Sequence, residues 1–218
     1  MNKKNTKKIK FIILLMFSLF WIVNCSQITP EVISPEYSVI FEYENAEKNP
    51  NARMSFFAES ITEIRRYEKI KIYCENGGYV WNFDDIAMIC DKTRQWAGNT
   101  NLVMPKNEIF PNGKYEITFI NADEKETTIS INVNYDPAFY DLNCTESEKL
   151  MTEKHSVKKI AVYDKEKIMI YFGEKDEKMN SPRGIWNRFS NGKYYQDVWF
   201  TPGNSVVCIM PVQEISLE

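Results

Sequence analysis

The sequence predicts a mainly β protein, in which an antiparallel β-sandwich is followed by a smaller β-rich unit with one or two short helices. Two observations predict this fold class. From residue 37 onward, apolar and polar residues alternate with a period of two, as half-buried strands do. Turn sequences (NPNA, NGG, AGNT and PNG) separate about seven short runs of this kind before residue 135. Short strands with such regular turns are typical of two packed sheets.

The strands of the predicted sandwich (37–134) each direct alternate residues inward. The inward positions are Tyr37, Val39, Phe41 and Tyr43; Ile70, Ile72 and Cys74; Ile86, Met88 and Cys90; Tyr115, Ile117 and Phe119; and Ile129, Ile131 and Val133. The last two runs form a hairpin, and Gly113 precedes Tyr115 by two residues. This hairpin resembles the closing strands of bacterial immunoglobulin-like modules. The resemblance implies an immunoglobulin-like sandwich with a corner-type hydrogen bond from Tyr115.

The remaining residues (135–218) predict a C-terminal unit rich in β-hairpins. Thr145, with Glu148 three residues later, indicates a capping box at the start of a short helix. A hairpin follows, in which Ile160 and Val162 face Ile168 and Ile170. Ser181 as N-cap and Pro182 at the first helical position predict a second short helix, ended by Gly192. A third hairpin comprises YYQDVWF, TPGN and SVVCIMPV. We expect this unit to pack on the sandwich or to extend its sheet.

The N-terminus has the layout of an export signal. Five lysines and no acidic residue lie in positions 1–10, and residues 11–23 (FIILLMFSLFWIV) are apolar. Thirteen residues are too few for a transmembrane helix, which needs about 20. The segment therefore predicts a secretory signal peptide rather than a membrane span. Ile22, Val23 and Asn24 lead directly into Cys25.

This arrangement resembles the signal peptide of bacterial lipoproteins, where an aliphatic pair and a small residue precede a cysteine. Asn24 departs from the usual Gly, Ala or Ser, and such a relaxed lipobox is most similar to those of spirochaete lipoproteins. The resemblance covers about the first 26 residues. It implies that residues 1–24 are removed and that Cys25 carries a covalent diacylglycerol and an N-acyl chain such as palmitate. The alternatives are an ordinary signal peptide cleaved elsewhere and an uncleaved anchor, with Cys25 incidental in both.

The lipoprotein resemblance implies that the mature chain belongs to the cell envelope, and its charge predicts no role in nucleic-acid binding. Residues 25–36 predict a lipidated N-terminus and a stiff stalk containing Pro30 and Pro35. Because five of the 27 basic residues precede Cys25 and none of the 30 acidic residues does, the mature chain has 22 basic residues and a net charge of −8. An acidic body does not attract nucleic acid or anionic lipid. We therefore expect a lipid-anchored protein on the cell membrane or outer membrane, facing the periplasm or the surface.

The four cysteines after Cys25 are candidates for disulfides. Cys74, Cys90, Cys144 and Cys208 contain no C-x-x-C spacing, so neither a zinc site nor a thiol-redox site is predicted. Export permits disulfides, and the sequence leaves their pairing open. Cys74 and Cys90 share the phase of core residues, so buried free thiols are the alternative. No metal site is predicted, and no cofactor other than the lipid on Cys25.

No catalytic residue is predicted. His155 is the single histidine of the chain. Asp84 and Asp85, beside Trp81 and Phe83, are the most suggestive carboxylate pair for a cell-wall glycan hydrolase. Adjacent residues of a strand point to opposite faces, however, so a polar turn is the preferred interpretation.

The sequence therefore favours a binding or structural body over an enzyme, with another envelope protein or a glycan as its partner. A carboxylate-dependent hydrolase and an envelope enzyme inhibitor are the alternatives. Of the four tryptophans in the body, about three are expected in structural positions, which leaves one to stack on sugar or to anchor a partner. These tryptophans are Trp81, Trp96, Trp186 and Trp199.

Overall fold

The computed structural model describes residues 29–216, so the predicted signal peptide and Cys25 lie outside the described residues. The described chain is mainly β, with two sheets and two short α-helices, and the predicted fold class is confirmed. In chain order the strands are β1 (Val32–Glu42), β2 (Asn51–Ser60), β3 (Tyr67–Cys74), β4 (Val80–Phe83), β5 (Ala87–Cys90), β6 (Gln95–Leu102), β7 (Gly113–Asn121), β8 (Glu126–Val133), β9 (Val157–Tyr163), β10 (Met169–Glu174), β11 (Tyr194–Phe200), β12 (Val206–Ile209) and β13 (Gln213–Glu214). The helices are α1 (Cys144–Glu153) and α2 (Pro182–Arg188).

Strands from both halves of the chain form one nine-stranded sheet. Its order is β10-β9-β11-β12-β1-β2-β6-β5, with β13 paired to β11. The halves meet where β12 pairs with β1 in parallel, in contrast to the antiparallel neighbours on either side. The smaller sheet has the order β4-β3-β7-β8. The second half therefore extends the large sheet through its contact with β1.

Strand β1 begins before the predicted sandwich does. Val32 and Ile33 pair with Ser60 and Glu59 of β2, so part of the segment expected as a stalk belongs to the sheet. The register shifts between Ile33 and Glu36, where Ser34 has a φ of +47°. A bulge accommodates Pro35, whose nitrogen cannot donate a ladder hydrogen bond.

The predicted alternation produces the main core between the two sheets. The inward side chains of β1 and β2 meet those of β3 and β7. Burying each such side chain stabilises the fold by about 1.5–3 kcal/mol. The rings of Phe41 and Phe139 stack with centroids 5.2 Å apart. Tyr115 Oη donates a hydrogen bond of 2.9 Å to the carbonyl of Pro111, four residues upstream, which is the corner contact expected for this residue.

Helix α1 starts earlier than the predicted capping box. Asn143 is its N-cap and accepts a hydrogen bond from the Glu146 amide, while the Glu146 carboxylate accepts one from the Asn143 amide. The prediction of Thr145 and Glu148 for these roles is wrong. Asn caps as well as Thr does, and the earlier start brings Cys144 into the core. Helix α2 begins as predicted, with the Ser181 hydroxyl accepting from the Gly184 amide at 3.2 Å.

The hairpins of the second half are confirmed, with one correction to their register. Val162 of β9 pairs with Tyr171 of β10, whereas Ile168 follows the turn and is 62% exposed. The predicted contact of Ile168 with the inward residues of β9 is therefore wrong. The turn consists of residues 164–167, because the Asp164 carboxylate accepts the amides of Glu166 and Ile168 and holds Ile168 at the edge of the sheet.

The two faces of the large sheet have different surroundings. The inner face packs on the smaller sheet and α1, and β9 and β11 contact α2 through Ile185. On the outer face Ile40, Val198 and Val207 form a small apolar cluster, and the residues packed against it, Phe200 and Ile209, belong to the same sheet.

Candidate functional site

The described cysteines are free thiols, and no disulfide joins them. Cys74, Cys144 and Cys208 are buried, and burial raises the pKa of each, in the case of Cys208 to about 12. These thiols stay protonated at neutral pH and are poor nucleophiles. Cys90, expected to face the core, is exposed. The reason is that neither face of β5 is covered, since Met88, Ile89 and Cys90 are all exposed.

The two neighbouring carboxylates lie in an exposed bend. Asp84 and Asp85 lie in the bend between β4 and β5, as the turn interpretation predicts. The Asp84 side chain is 83% exposed and lies 3.7 Å from Lys69 Nζ. The backbone carbonyl of Asp85 accepts a hydrogen bond from Asn99. Neither residue lines any of the four cavities considered below.

The tryptophans divide into packed and exposed residues. The Trp81 indole donates to the Val103 carbonyl at 2.9 Å and stacks on Tyr115. Trp199 packs beneath Lys158 Nζ, which lies 4.9 Å from the ring centroid. Trp96 is half-buried on β6. Trp186 on α2 is 39% exposed and is the tryptophan most open to solvent among the four in the described chain.

A charged cluster within the fold was not predicted. Asp197 on the inner face of β11 bonds Lys175 Nζ through both oxygens, at 2.9 and 3.0 Å, and Lys158 Nζ at 2.8 Å. Glu148 of α1 contacts Lys158 at 3.3 Å. Burial lowers the pKa of Lys158, but hydrogen bonds and attraction from Asp197 and Glu148 outweigh it and raise that pKa overall. The cluster joins α1, β9 and β11, and its charges cancel.

Residues 29–216 contain neither a metal-ligating cluster nor a membrane-spanning helix. No group of three or more potential metal-ligating side chains occurs in this part of the chain. No helix described there is long and apolar enough to cross a membrane. His155 is exposed, just after α1, with a φ of +55°, and its amide donates to the Thr152 carbonyl.

Four cavities of the described chain are candidate binding sites. The largest, about 520 Å³, lies between the segment after β8 and the β11–β12 turn, and the Lys154–Asp136 ion pair, 3.4 Å long, lies at its wall. A cavity of about 270 Å³ lies beside Pro30 and Ile61, and one of about 210 Å³ lies on the smaller sheet. The fourth, of about 280 Å³, combines aromatic, amide and charged side chains, and we name it the tyrosine cleft. Its lining residues are Glu42, Tyr163, Lys167, Tyr194, Gln196 and Val212.

The strand register assembles the tyrosine cleft. Tyr163 of β9 pairs directly with Tyr194 of β11, so both side chains lie on the outer face of the sheet. Gln196, two residues beyond Tyr194, lies on the same face. Glu42 reaches the cleft from the end of β1, and Lys167 comes from the β9–β10 turn. Sequence reasoning missed this site because its residues are brought together by the order of strands rather than by a motif.

Hydrogen bonds fix several polar groups of the tyrosine cleft. Tyr163 Oη donates to Gln196 Oε1 at 3.1 Å, and Gln196 Nε2 donates to the Met210 carbonyl at 2.7 Å. Glu42 Oε2 faces Arg53 Nε at 3.6 Å. Burial, together with the negative charge of Glu42, raises the pKa of Tyr163, so its hydroxyl remains a donor at neutral pH. The cleft thus has a prearranged set of donors and acceptors beside two aromatic rings.

Comparison with known proteins assigns no family. No protein-family model matches the chain, and no curated protein matches it.

Proposed function

We propose that this protein is a cell-envelope lipoprotein, held to the membrane by acyl chains on Cys25, with a non-enzymatic body that binds a ligand or another envelope component. The observation that carries the proposal is the lysine-rich segment and apolar run that end at Cys25. A thioether can form only at a thiol, and Cys25 is the first cysteine of the chain.

The charge of the mature chain favours a lipid anchor over electrostatic attachment to a membrane. With a net charge of −8 it is repelled by anionic lipid. Each buried methylene of an acyl chain contributes about 0.8 kcal/mol, and two or three chains give firm attachment. The sheet begins at Val32, so seven residue steps at no more than about 3.6 Å each separate it from Cys25. An acylated Cys25 would keep the body close to the bilayer surface.

The surroundings of the carboxylates favour a binding role over a hydrolase. A glycosidase holds two carboxyl groups on opposite sides of the scissile bond. Asp84 and Asp85 instead lie in an exposed bend. The tyrosine cleft has the composition of a binding site, with aromatic rings and a few convergent polar groups.

Mass spectrometry of the mature N-terminus tests the anchor directly. We expect a chain beginning at Cys25 and carrying a diacylglycerol and an amide-linked acyl chain. Cys25→Ala should move the protein from the membrane to the aqueous fraction. Cys90→Ala, which removes an exposed thiol of the body, is the matched control and should leave partitioning unchanged. A mature chain that begins elsewhere, or an unmodified Cys25, would contradict the proposal.

A further inference from the structure

We propose that the tyrosine cleft binds a neutral saccharide, with a pyranose ring against Tyr194 and Tyr163. This inference rests on the proposed function in one respect, that the body is a binding module. The ligand of that module would be a saccharide, and the residues of the tyrosine cleft would bind it.

The aromatic pair provides the apolar part of the site. Residues paired directly across two strands have Cβ atoms about 4.5–5.5 Å apart, so Tyr163 and Tyr194 are neighbours on one face of the sheet. No ring contact joins these two tyrosines to each other or to another described aromatic residue. A sugar ring has an apolar face of C–H groups that packs on such a surface, while the tyrosine hydroxyls remain available for hydrogen bonds.

The polar groups of the cleft match hydroxyl groups better than a charged ligand. Glu42 forms an ion pair with Arg53 through Oε2, and Lys167 Nζ forms no ion pair with described residues. The amide of Gln196 is fixed in orientation by its bonds to Tyr163 and Met210. A hydroxyl both donates and accepts, so it suits an acceptor and a donor together. The Glu42 carboxylate would repel a negatively charged ligand, and the Lys167 ammonium group would repel a positively charged one.

The size of the cleft limits the ligand to one or two sugar rings. Its volume of about 280 Å³ is at the lower end of the range of small-molecule sites, roughly 300–1,000 Å³. Exposed Val212, 55% accessible, lies at its rim. The rim allows the remaining units of a longer glycan to extend into solvent.

Saturation-transfer NMR and calorimetry on the full mature protein in detergent test the proposal. The probes are chitotriose and maltotriose, two neutral oligosaccharides. We expect at least one to bind, with transfer to its ring protons. Tyr194→Ala should weaken binding about tenfold, as expected for the loss of one aromatic packing partner. Tyr194→Phe keeps the ring and should stay within about threefold of the wild-type affinity.

A second tyrosine provides the matched control. Tyr73 is 39% exposed on the outward face of the smaller sheet, so Tyr73→Ala should bind like the wild type. Equal thermal midpoints would show that each variant is folded. The proposal is overturned if neither sugar binds at about 10 mM, if Tyr194→Ala binds as the wild type does, or if Tyr73→Ala is equally weakened.

The same measurement on Cys25→Ala separates this proposal from the anchor. Because the tyrosine cleft lies on β1, β9 and β11, its affinity should not depend on acylation. Sugar binding by a chain without acyl groups would support the cleft even if the anchor fails. An acylated protein without sugar binding would leave the anchor and reject the cleft.

Discussion

Replacing Asp197 with asparagine should be among the most destabilising single changes in the charged cluster. The carboxylate is the shared partner of two ammonium groups, with three contacts of 2.8–3.0 Å. The side chains of Asp197 and Lys175 are only 11% and 12% exposed, so water does little to screen them. The Asp197→Asn change would leave two adjacent positive charges without a counter-charge, except for the contact of Lys158 with Glu148.

The expected loss follows from the burial of the pair. Removing one partner of a buried ion pair costs about 3–5 kcal/mol, and the partial exposure of Lys158 (31%) places this site near the lower limit. Urea unfolding followed by circular dichroism would measure the loss. The unfolding free energy falls by about 1–3 kcal/mol per molar urea, so the urea concentration at the unfolding midpoint should fall by at least about 1 M.

The matched control is Glu214→Gln, which breaks an exposed ion pair with Lys193 on the same sheet. The two side chains are 58% and 46% exposed, so the loss should stay below about 1 kcal/mol. The double variant Asp197→Leu with Lys175→Met removes a charge of each sign and should recover part of the stability. A loss below about 1 kcal/mol for Asp197→Asn, or equal losses at both sites, would refute the reasoning.

Two further stability predictions concern buried polar groups. Tyr43 Oη is buried without a hydrogen-bond partner in the described chain, and the nearby Ser147 hydroxyl donates to Cys208. Tyr43→Phe should therefore be neutral or stabilise the protein by up to about 1 kcal/mol in urea unfolding, and a loss above about 1 kcal/mol would show an overlooked partner. Burial raises the pKa of Cys208 to about 12, whereas an unfolded thiol ionises near about 8.5. The protonated Cys208 thiol therefore contributes its full share of the folding free energy below about pH 8.5, and this contribution is lost as the pH rises toward about 12. The stability of the wild-type protein should fall over that pH window, and the fall should be less steep in Cys208→Ala. Equal slopes for the two proteins would contradict this assignment.

The sequence was informative where a local pattern determines local structure. Alternation identified the inward residues of β1, β3 and β7, because strands between two sheets must bury one face. Ser181 and Pro182 located the start of α2, since capping depends on neighbouring residues alone. Asn143 is a better N-cap residue than Thr145, and the helix that it caps places Cys144 in the core.

Strand order was not predictable from these patterns. The alternation in β5 is that of a half-buried strand, yet Cys90 is exposed because no other element covers that face of β5. The tyrosine cleft depends on β1, β9 and β11 sharing one sheet, which no single segment specifies. A signal for the charged cluster was present: Asp197 lies between inward Tyr195 and Trp199 at the same phase, and a charge at such a position needs a buried partner.

The parallel pairing of β1 with β12 has a consequence for how the chain folds. Ser38 donates to the carbonyl of Asn204, a contact that spans 166 residues. Because β12 lies far beyond β1 in the sequence, one edge of β1 has no neighbour until these two distant segments meet during folding. Contacts this distant in sequence slow folding. Until β12 is in place, the unpaired edge of β1 is able to pair with other chains. Loss of β12 would therefore separate β11 from β1 in the middle of the large sheet, whereas loss of an edge strand would only shorten the sheet.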